Sequence, residues 1–501
     1  MTEIAPFEAA QAETIRFLAD PATHGGAPVE LIVTHISRVF LAGDRAFKLK
    51  RAVASNYLDF STPALREAAC RREIEVNAAA GPLYRGVVAV TRAPDGALRI
   101  GGDGEAVDFL VEMRRFDRAE EFDRLLAAGR LDAPMVERLA DVLAEAHRAA
   151  PDARAHGGAA ATLARIDQIA EAASAAGSAL REIAPEWRAA ARAEAARHAR
   201  LFDLRTRHGC VRRCHGDLHL RNIVMIDGRP TPFDAIEFSE EIASVDILYD
   251  LALTLADLLT ADRRDLACAL LNRWLGALRD NCGLALLPLY LSMRGAVRGM
   301  VAASSGDEAG ARAEFAFAQD ALAPRPPPRL VAIGGISGSG KTTLARALAP
   351  RLGPLTGAVV IRSDVTRKRI VGMPPETRAP LSAYAPEVTA RVARRMLRAA
   401  RRTLAAGFPA LLDATFLDPA FRAEAEAMAA RMGVRFDELW LTLPPEEAAR
   451  RAAARFGDAS DADGALVRAQ APRAATPAGW RMLDAAQPVE GLVADALAAL
   501  G

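Results

Sequence analysis

Two segments of the chain combine the residue types that phosphate and magnesium chemistry requires. The first, His215–Asn222, places an aspartate, Asp217, five residues before an asparagine. The second, Gly335–Thr342, places three glycines ahead of a lysine and a hydroxyl residue. Because these are unrelated patterns for holding ATP with Mg²⁺, the sequence predicts two separate nucleotide sites.

The second segment fits the pattern G-x-x-x-x-G-K-[ST] and directly follows an apolar run, Arg329–Ile333, that predicts a buried strand. Glycines let backbone N–H groups wrap phosphates, and the helix that follows adds partial positive charge. We expect Lys341 to reach the β- and γ-phosphates and the Thr342 hydroxyl to hold Mg²⁺. The predicted phosphate-binding residues of this loop are Gly335, Ser337, Gly338, Ser339, Gly340, Lys341, Thr342 and Thr343.

Three later features suggest phosphoryl transfer at this loop. Asp364 follows a short apolar strand and is a candidate acceptor for a hydroxyl proton, while Arg367 could hold an anionic group. Asp413 ends another apolar strand, as a metal-binding acid does in such sites. Arg450 and Arg455 lie in an arginine-rich helix and could neutralise charge in the transition state, although solvated arginines on a helix surface are an equal alternative.

With these motifs, the segment from Leu330 to Ala499 resembles the small P-loop kinases of the gluconate kinase, shikimate kinase and zeta-toxin type, with an AAA-type ATP-binding core. Strand-like and helix-like patterns alternate along it, which is typical of a parallel sheet covered by helices. The resemblance implies an α/β P-loop domain that binds ATP.

The first segment offers the same chemistry in another arrangement. Asp217 is a candidate acceptor for a hydroxyl proton, and Asn222 and Asp234 supply the hard oxygen ligands that Mg²⁺ prefers. Glu237 is a candidate for a further ligand. The histidines and cysteines around this segment leave zinc binding as an alternative, but a single C-x-x-x-C spacing with no second pair argues against it.

The pattern H-G-D-x-H-x-x-N resembles the catalytic loop of aminoglycoside phosphotransferase-like proteins, a branch of the protein-kinase fold. In that branch Lys48 would bind phosphate, Glu73 would pair with this lysine, and the backbone of Glu112 and Met113 would bind adenine. Lys48 is favoured over Lys50 because Ala46, two residues earlier, is small enough to face the base.

Two other features bear on the resemblance. Asp246 and Asp250 resemble the acids that brace the catalytic loop from the next helix. The glycine-rich loop of protein kinases is absent, and Thr34–Ser37 stands in its place. This departure counts more against a protein kinase than against a phosphotransferase of small molecules.

The whole chain thus resembles a bacterial fusion of the two folds: an α+β bilobal kinase-like domain, then an α/β P-loop domain with a parallel sheet. We expect the kinase-like domain over 1–322, a proline-rich linker over 323–328 and the P-loop domain over 329–501. Strands are predicted at Glu30–His35, Val39–Leu41 and Ala46–Lys50, and a helix from Pro63 to Ala80.

The bulk composition narrows the class of protein. The chain has 501 residues, a formal net charge of +1 and five cysteines, so neither a nucleic-acid-binding surface nor a disulfide framework is indicated. No apolar run approaches the roughly 20 residues of a membrane span, and the first residues do not resemble a signal peptide. We expect a cytoplasmic protein without nucleic-acid or membrane partners; the oligomeric state is left open.

The resulting prediction is an enzyme, an ATP- and Mg²⁺-dependent phosphotransferase that acts on hydroxyl groups of small molecules at two sites. The alternative is a regulatory ATPase, in which the P-loop domain acts as a nucleotide switch for a partner or for the kinase-like domain. The residues do not name either phosphate acceptor, because a fold does not determine its substrate.

Overall fold

A computed structural model describes residues 9–54, 58–454, 460–461, 464–473 and 477–501. No helix within these ranges is long and apolar enough to cross a lipid bilayer.

After the helix Ala12–Ala19, the described chain forms a six-stranded antiparallel sheet in the order β1-β2-β3-β6-β4-β5. The three strands predicted at its start are confirmed, whereas the short strand β5 was not predicted. The strands are β1 (Val29–Val33), β2 (Ser37–Ala42), β3 (Arg45–Lys50), β4 (Tyr84–Arg92), β5 (Leu98–Ile100) and β6 (Glu105–Arg114).

The two faces of this sheet have different roles, because side chains alternate along each strand. On β3, Phe47 and Leu49 belong to an apolar cluster with Leu18 of the helix Ala12–Ala19. On the opposite face Ala46 packs with Cys70 of the helix Pro63–Val76. Lys48 and Lys50 share this second face by their spacing, so the sheet directs both lysines towards that helix.

The helix Pro63–Val76 begins where Thr62 caps it by accepting a hydrogen bond from the Leu65 N–H at 3.3 Å, with proline at the first position. Its buried side carries polar residues. Arg66 makes two hydrogen bonds with Asp108 of β6, at 2.7 and 2.9 Å, and both side chains are buried. This pair fixes the helix against the sheet and so sets the position of Glu73, two turns further on.

Two small antiparallel pairs follow, β7 (Val211–Arg213) with β10 (Ser244–Asp246) and β8 (Ile223–Ile226) with β9 (Arg229–Pro232). With the large sheet and the helices, they give this part of the chain the predicted mixture of α and β structure. The helices up to residue 322 are Ala12–Ala19, Pro63–Val76, Phe122–Ala127, Ala133–Ala149, Ala159–Ala176, Ser178–Arg181, Ile183–Arg197, Ala199–Arg207, Glu240–Ala243, Ile247–Thr260, Arg264–Leu278, Leu287–Ser304 and Glu308–Leu322.

The remainder of the chain is built on a five-stranded parallel sheet in the order β12-β13-β11-β14-β15, which confirms the predicted α/β fold. Its central strand is buried on both faces, as the unbroken apolar run predicts. The edge strand β15 was not predicted. The strands are β11 (Arg329–Gly334), β12 (Val359–Arg362), β13 (Ala410–Asp413), β14 (Arg435–Thr442) and β15 (Arg481–Asp484). The helices are Lys341–Leu348, Ser363–Ile370, Pro386–Ala405, Pro419–Met432, Pro445–Ala453, Gly464–Gln470 and Val489–Leu500.

Contacts within the chain divide it into two compact units. The first comprises Met1–Arg165 and Ala199–Asp257, and the second comprises Ile166–His198 and Leu258–Gly501. The proline-rich run at 323–328 therefore joins two parts of the second unit. The domain boundary at 323–328, between the predicted kinase-like and P-loop domains, stays a prediction.

The second unit shows why a helix before the proline run groups with the parallel sheet. Cys268, on the helix Arg264–Leu278, belongs to the same apolar core as the sheet residues Val331 and Leu411. Asn272 of this helix accepts a hydrogen bond from the Val360 N–H on β12 at 2.7 Å.

Candidate functional sites

The kinase-like site is organised around two lysines on one face of β3. Lys48 Nζ lies 2.8 Å from Glu73 Oε1, so the predicted ion pair is present, and 2.5 Å from Asp234 Oδ1. Lys50 pairs with the other Glu73 oxygen and with Glu237. No partner was predicted for Lys50, whereas in the structure Glu73 contacts both lysines.

The charges of this cluster keep one another ionised. Burial by itself would lower the pKa of Lys48, but the carboxylates of Asp234 and Glu73 outweigh burial and raise it well above the usual value. Burial would likewise raise the pKa of Asp234, yet Lys48 lowers it to about 2. Both groups are therefore charged at neutral pH, as phosphate and metal binding require.

Asp234 sits in the left-handed backbone region with φ of 61°, which is uncommon for a residue other than glycine. Two side chains hold this conformation. The Asp234 N–H donates to the Tyr84 hydroxyl, and the next N–H, that of Ala235, donates to Asn77 Oδ1, both at 3.0 Å. Backbone strain of this kind is held in place by its surroundings and is common at functional sites.

The catalytic-loop residues lie at the base of the β8–β9 hairpin. The Phe233 N–H donates to the Asn222 carbonyl at 2.9 Å, so Asn222 and Asp234 are brought together at the hairpin's open end. The Asn222 amide nitrogen donates to the Asp217 carbonyl at 3.0 Å, which leaves the amide oxygen of Asn222 for a metal. The Asp217 side chain is about half exposed, so an acceptor can reach it.

A buried acid supports this loop from behind. Asp250 Oδ1 accepts a hydrogen bond from the Gly216 N–H at 2.8 Å, and its other oxygen lies 3.1 Å from His147 Nε2. Asp246 instead pairs with Arg205. Asp250 thus braces the catalytic loop directly, as the resemblance implies, and Asp246 fixes a neighbouring helix.

One of the two cysteines of the C-x-x-x-C spacing belongs to a group of possible metal ligands. Among the described residues, His147, Cys214 and Asp250 bring three possible ligand atoms within 4.8 Å of one another. The Asp250 carboxylate is already used by Gly216 and His147. The contacts of Asp250 with Gly216 and His147 support the loop that contains Asp217.

Two other predicted parts of this site have clear positions. The Thr34–Ser37 segment forms the turn between β1 and β2, closed by a hydrogen bond from the Thr34 N–H to the Ser37 carbonyl at 2.9 Å. Glu112 and Met113 are interior residues of β6, paired with Phe47 and Ala46 of β3. Their contact with adenine stays a prediction.

The second site lies at the carboxyl edge of the parallel sheet. The Thr342 hydroxyl donates to Asp413 Oδ2 at 2.6 Å, which joins the loop residue and the strand-end acid that were predicted to share a metal. Arg362, at the end of the adjacent strand β12, lies 3.5 Å from the same carboxylate. Because carboxyl ends of parallel strands meet at one edge, Asp413 and Arg362 become neighbours.

The loop has the backbone that phosphate wrapping requires. Gly338 has φ of 84°, and a Cβ there would overlap the carbonyl oxygen of Ala448, so only glycine fits. Lys341 Nζ donates to the Ile336 carbonyl at 2.7 Å, and the Ser337 N–H donates to Gln470 Oε1 at 2.9 Å. The Thr343 side chain points to solvent and Ser339 is buried. The Lys341 ammonium therefore lies against the loop backbone, and the Gln470 side chain occupies the Ser337 N–H.

Asp364 and Arg367 lie on the helix that follows β12. Burial, together with the nearby Asp413 carboxylate, raises the pKa of Asp364 above its usual value. Arg367 is buried and lies 4.6 Å above the Tyr384 ring, with hydrogen bonds to Ala383 and Thr389. Asp364, the candidate base, thus lies near Asp413, the acid that was predicted to bind the metal. Arg367 is held in place one helical turn further along the same helix.

The structure describes only one of the two arginines that were predicted to neutralise charge in the transition state. Arg450 is largely exposed and pairs with Glu447 of its own helix, so the structure does not bring it to Lys341 or Asp413. Arg455 lies outside the described residues. A transition-state role for either arginine stays a prediction.

Both sites fit Mg²⁺ by their donors, which are oxygen atoms of carboxylate, amide and hydroxyl groups. In the kinase-like site Asn222 and Asp234 would hold the ion, with the Asp234 side chain 44% exposed and its pKa lowered to about 2. In the P-loop site Thr342 and Asp413 would hold it, since they already share a hydrogen bond.

Several residues of both sites carry no local motif. Tyr84 and Asn77 act on Asp234 and Ala235 from more than 140 positions away, and Arg362 differs from other arginines only by standing at a strand end. The apolar run before Arg362 could have revealed it, because the last residue of a parallel strand points into the site.

Comparison with known proteins finds a family model for the last part of the chain and a relative along most of its length. The model of an AAA domain family, AAA_33, matches residues 330–477. An uncharacterized protein of Mycobacterium tuberculosis strain H37Rv is 32% identical over 494 residues, which cover 93% of this chain and 94% of that protein.

Solved structures match each part separately. A choline/ethanolamine kinase family protein from Mesorhizobium loti covers 63% of this chain and 95% of its own, at 16% identity and a TM-score of 0.38. A gluconokinase from Sinorhizobium meliloti 1021 covers 35% of this chain and 93% of its own, at 24% identity and a TM-score of 0.26.

Proposed function

The chain belongs to the family of that mycobacterial protein. For this chain we propose a two-headed ATP-dependent phosphotransferase. Each head would transfer the γ-phosphate of ATP to a hydroxyl group of a small molecule. The observation that carries the proposal is that Lys48 contacts both Glu73 and Asp234. In the same site, the Asn222 side chain donates a hydrogen bond to the Asp217 carbonyl.

In the kinase-like head, Asp217 would orient the acceptor hydroxyl and take its proton as the oxygen bonds to the γ-phosphorus. The bond from that phosphorus to the bridging oxygen breaks, and ADP leaves with the bonding electrons. Lys48 would hold the phosphates while Glu73 holds Lys48. Mg²⁺ on Asn222 and Asp234 would supply charge neutralisation for the phosphate oxygens.

In the P-loop head, the loop amides and Lys341 would hold the phosphates, and Thr342 with Asp413 would hold Mg²⁺. Asp364 would take the proton of the second acceptor. Its raised pKa makes it a stronger base than an ordinary aspartate. Arg367 would contact the acceptor rather than ATP, since it lies on the same helix as Asp364.

The two heads can be separated in the intact chain by single substitutions. Asp217→Asn removes the proton acceptor of the first head, and Lys341→Ala removes the phosphate-binding charge of the second. The wild type, both variants and the double variant would be incubated with ATP, Mg²⁺ and a library of hydroxylated metabolites, and products would be detected by the mass gain of a phosphate.

We expect each phosphorylated product to disappear in one single variant and to persist in the other. A product that survives in the double variant would contradict the assignment of both sites. Rapid ATP hydrolysis without any acceptor, abolished by Lys341→Ala alone, would favour the alternative of a nucleotide switch in the P-loop head.

A further inference from the structure

A chain of alternating charges extends from the kinase-like site into the interior. Its order is Asp234, Lys48, Glu73, Lys50 and Glu237, and each member contacts the next. We call these five residues the charge ladder. Its contacts join β3, the helix Pro63–Val76 and the segment after β9.

Exposure falls steeply along the charge ladder. The Asp234 side chain is 44% exposed and that of Lys48 is 8% exposed, whereas Glu73 and Lys50 have no exposed side-chain surface. Glu237, at the inner end, is also buried. Ligands can therefore reach only the Asp234 end, and Lys50 cannot touch a nucleotide or an acceptor.

From this arrangement we propose that Lys50, through Glu237 and Glu73, is a positioning residue that holds Asp234 and Lys48 ready for the metal–nucleotide complex. The inference rests on the proposed function of the kinase-like head. It adds a role for a lysine that the catalytic chemistry does not use.

The first step concerns Glu73, which has a different lysine on each carboxylate oxygen. If Asp234 held the metal, Lys48 would keep only Glu73 of its two carboxylate partners. Its remaining partner, Glu73, cannot swing away because Lys50 holds the other oxygen. Lys48 thus stays in place for the phosphates.

The second step concerns Asp234 itself. Lys48 binds one end of the segment 234–237, and Lys50 binds the other end through Glu237. Both lysines belong to the same strand, so the segment is tied to β3 at two points. These ties, with the hydrogen bond from the Asp234 N–H to Tyr84, hold the unfavourable φ of 61°.

Lys50 is itself fixed independently of the ligands. Its carbonyl accepts a hydrogen bond from Gln11 Nε2 at 2.9 Å, and its ammonium lies 5.6 Å from the centre of the Phe60 ring. The inner end of the charge ladder is therefore a rigid anchor, and the outer end is the part that can exchange partners.

The test is a Mg²⁺ titration of nucleotide binding in the full chain. All variants carry Lys341→Ala to silence the P-loop site, and the probe is a fluorescent, non-hydrolysable ATP analogue. We expect Lys50→Met to raise the Mg²⁺ concentration for half-maximal binding about 10- to 100-fold, as loss of a residue behind metal ligands typically does. Metal-free binding of the analogue should change little. Arg99→Met, an exposed cation of the same sheet, is the matched control.

Glu237→Gln keeps the size of the side chain and one acceptor oxygen, so it tests the inference even where Lys50→Met fails to fold. It should shift the Mg²⁺ midpoint in the same direction by less. The double variant should be no worse than Lys50→Met alone, because both changes break the same pair.

The outcomes separate the inference from the proposed function. If the parent chain binds the analogue with Mg²⁺ and folded Lys50→Met or Glu237→Gln gives the same midpoint as Arg99→Met, the positioning role is wrong. If the parent chain itself shows no Mg²⁺-dependent binding, the nucleotide function of this head is wrong and the inference falls with it.

Discussion

The side chain of Asn272 caps the exposed edge of the parallel sheet, and its removal gives a measurable prediction. β12 is an edge strand, and Asn272 accepts from the Val360 N–H at 2.7 Å and donates to the Ala358 carbonyl at 3.1 Å. One amide group thus satisfies two backbone groups that no neighbouring strand reaches.

The expected cost of Asn272→Ala follows from these two bonds. Each is worth about 1 kcal/mol, and the Ala358 carbonyl would keep a weak hydrogen bond from the Cys268 thiol at 3.7 Å. Alanine regains about 0.5 kcal/mol through its higher helix propensity. The second unit should therefore lose about 1.5 kcal/mol, which corresponds to a urea midpoint lower by about 0.75 M at a typical slope of about 2 kcal/mol per M.

Tryptophan fluorescence during urea unfolding is a specific assay for this change. All four tryptophans, Trp187, Trp274, Trp440 and Trp480, belong to the second unit, so the signal does not report the first unit. Arg273→Ala is the matched control, because its ion pair with Glu376 is partly exposed and worth at most about 1 kcal/mol.

A midpoint for Asn272→Ala no lower than that of Arg273→Ala would refute the reasoning. It would mean that water replaces the asparagine without cost and that the helix Arg264–Leu278 is not needed for the stability of the sheet. A clear loss would instead show that the P-loop fold depends on a helix that precedes the proline-rich run.

Three further predictions concern charge and burial. Asp234→Ala should weaken binding of the Mg²⁺–nucleotide complex to the kinase-like head about 100-fold or more, measured by calorimetry in a Lys341→Ala background. Because the pKa of Asp234 is lowered to about 2, binding to the kinase-like head with Asp234 intact should show no titration of this group above about pH 4. Transfer by the P-loop head should require ionised Asp364, so its rate should rise with pH through a pKa above the usual value for aspartate, and Asp364→Asn should lose transfer but still bind ATP; an unchanged rate would contradict a base at this position. Alkylation at pH 8 followed by mass spectrometry should label exposed Cys282 and spare Cys70, whose pKa burial raises to about 12; labelling of both at equal rates would show that the apolar packing around Cys70 opens in solution.

Local pattern determined much of this protein. The loop Gly335–Thr342 could be recognised because phosphate wrapping needs glycines, lysine and a hydroxyl within eight consecutive residues of one strand–loop–helix unit. The same holds for Asp217 and Asn222, which act from one short loop. Strands β1 to β3 and the parallel sheet followed from apolar alternation and from unbroken apolar runs, which depend only on neighbours in sequence.

Tertiary structure decided what depends on distant partners. Lys50 and Glu237 are 187 residues apart, and no spacing rule relates them, so only folding shows that they share a buried contact. Asn272 is an ordinary polar residue on a helix until the helix lies along β12. Arg450 resembles a catalytic arginine in the sequence, yet its nearest acid is on its own helix. In each case the role comes from which side chain burial and packing place beside it, and that information is absent from the residue's own surroundings in the chain.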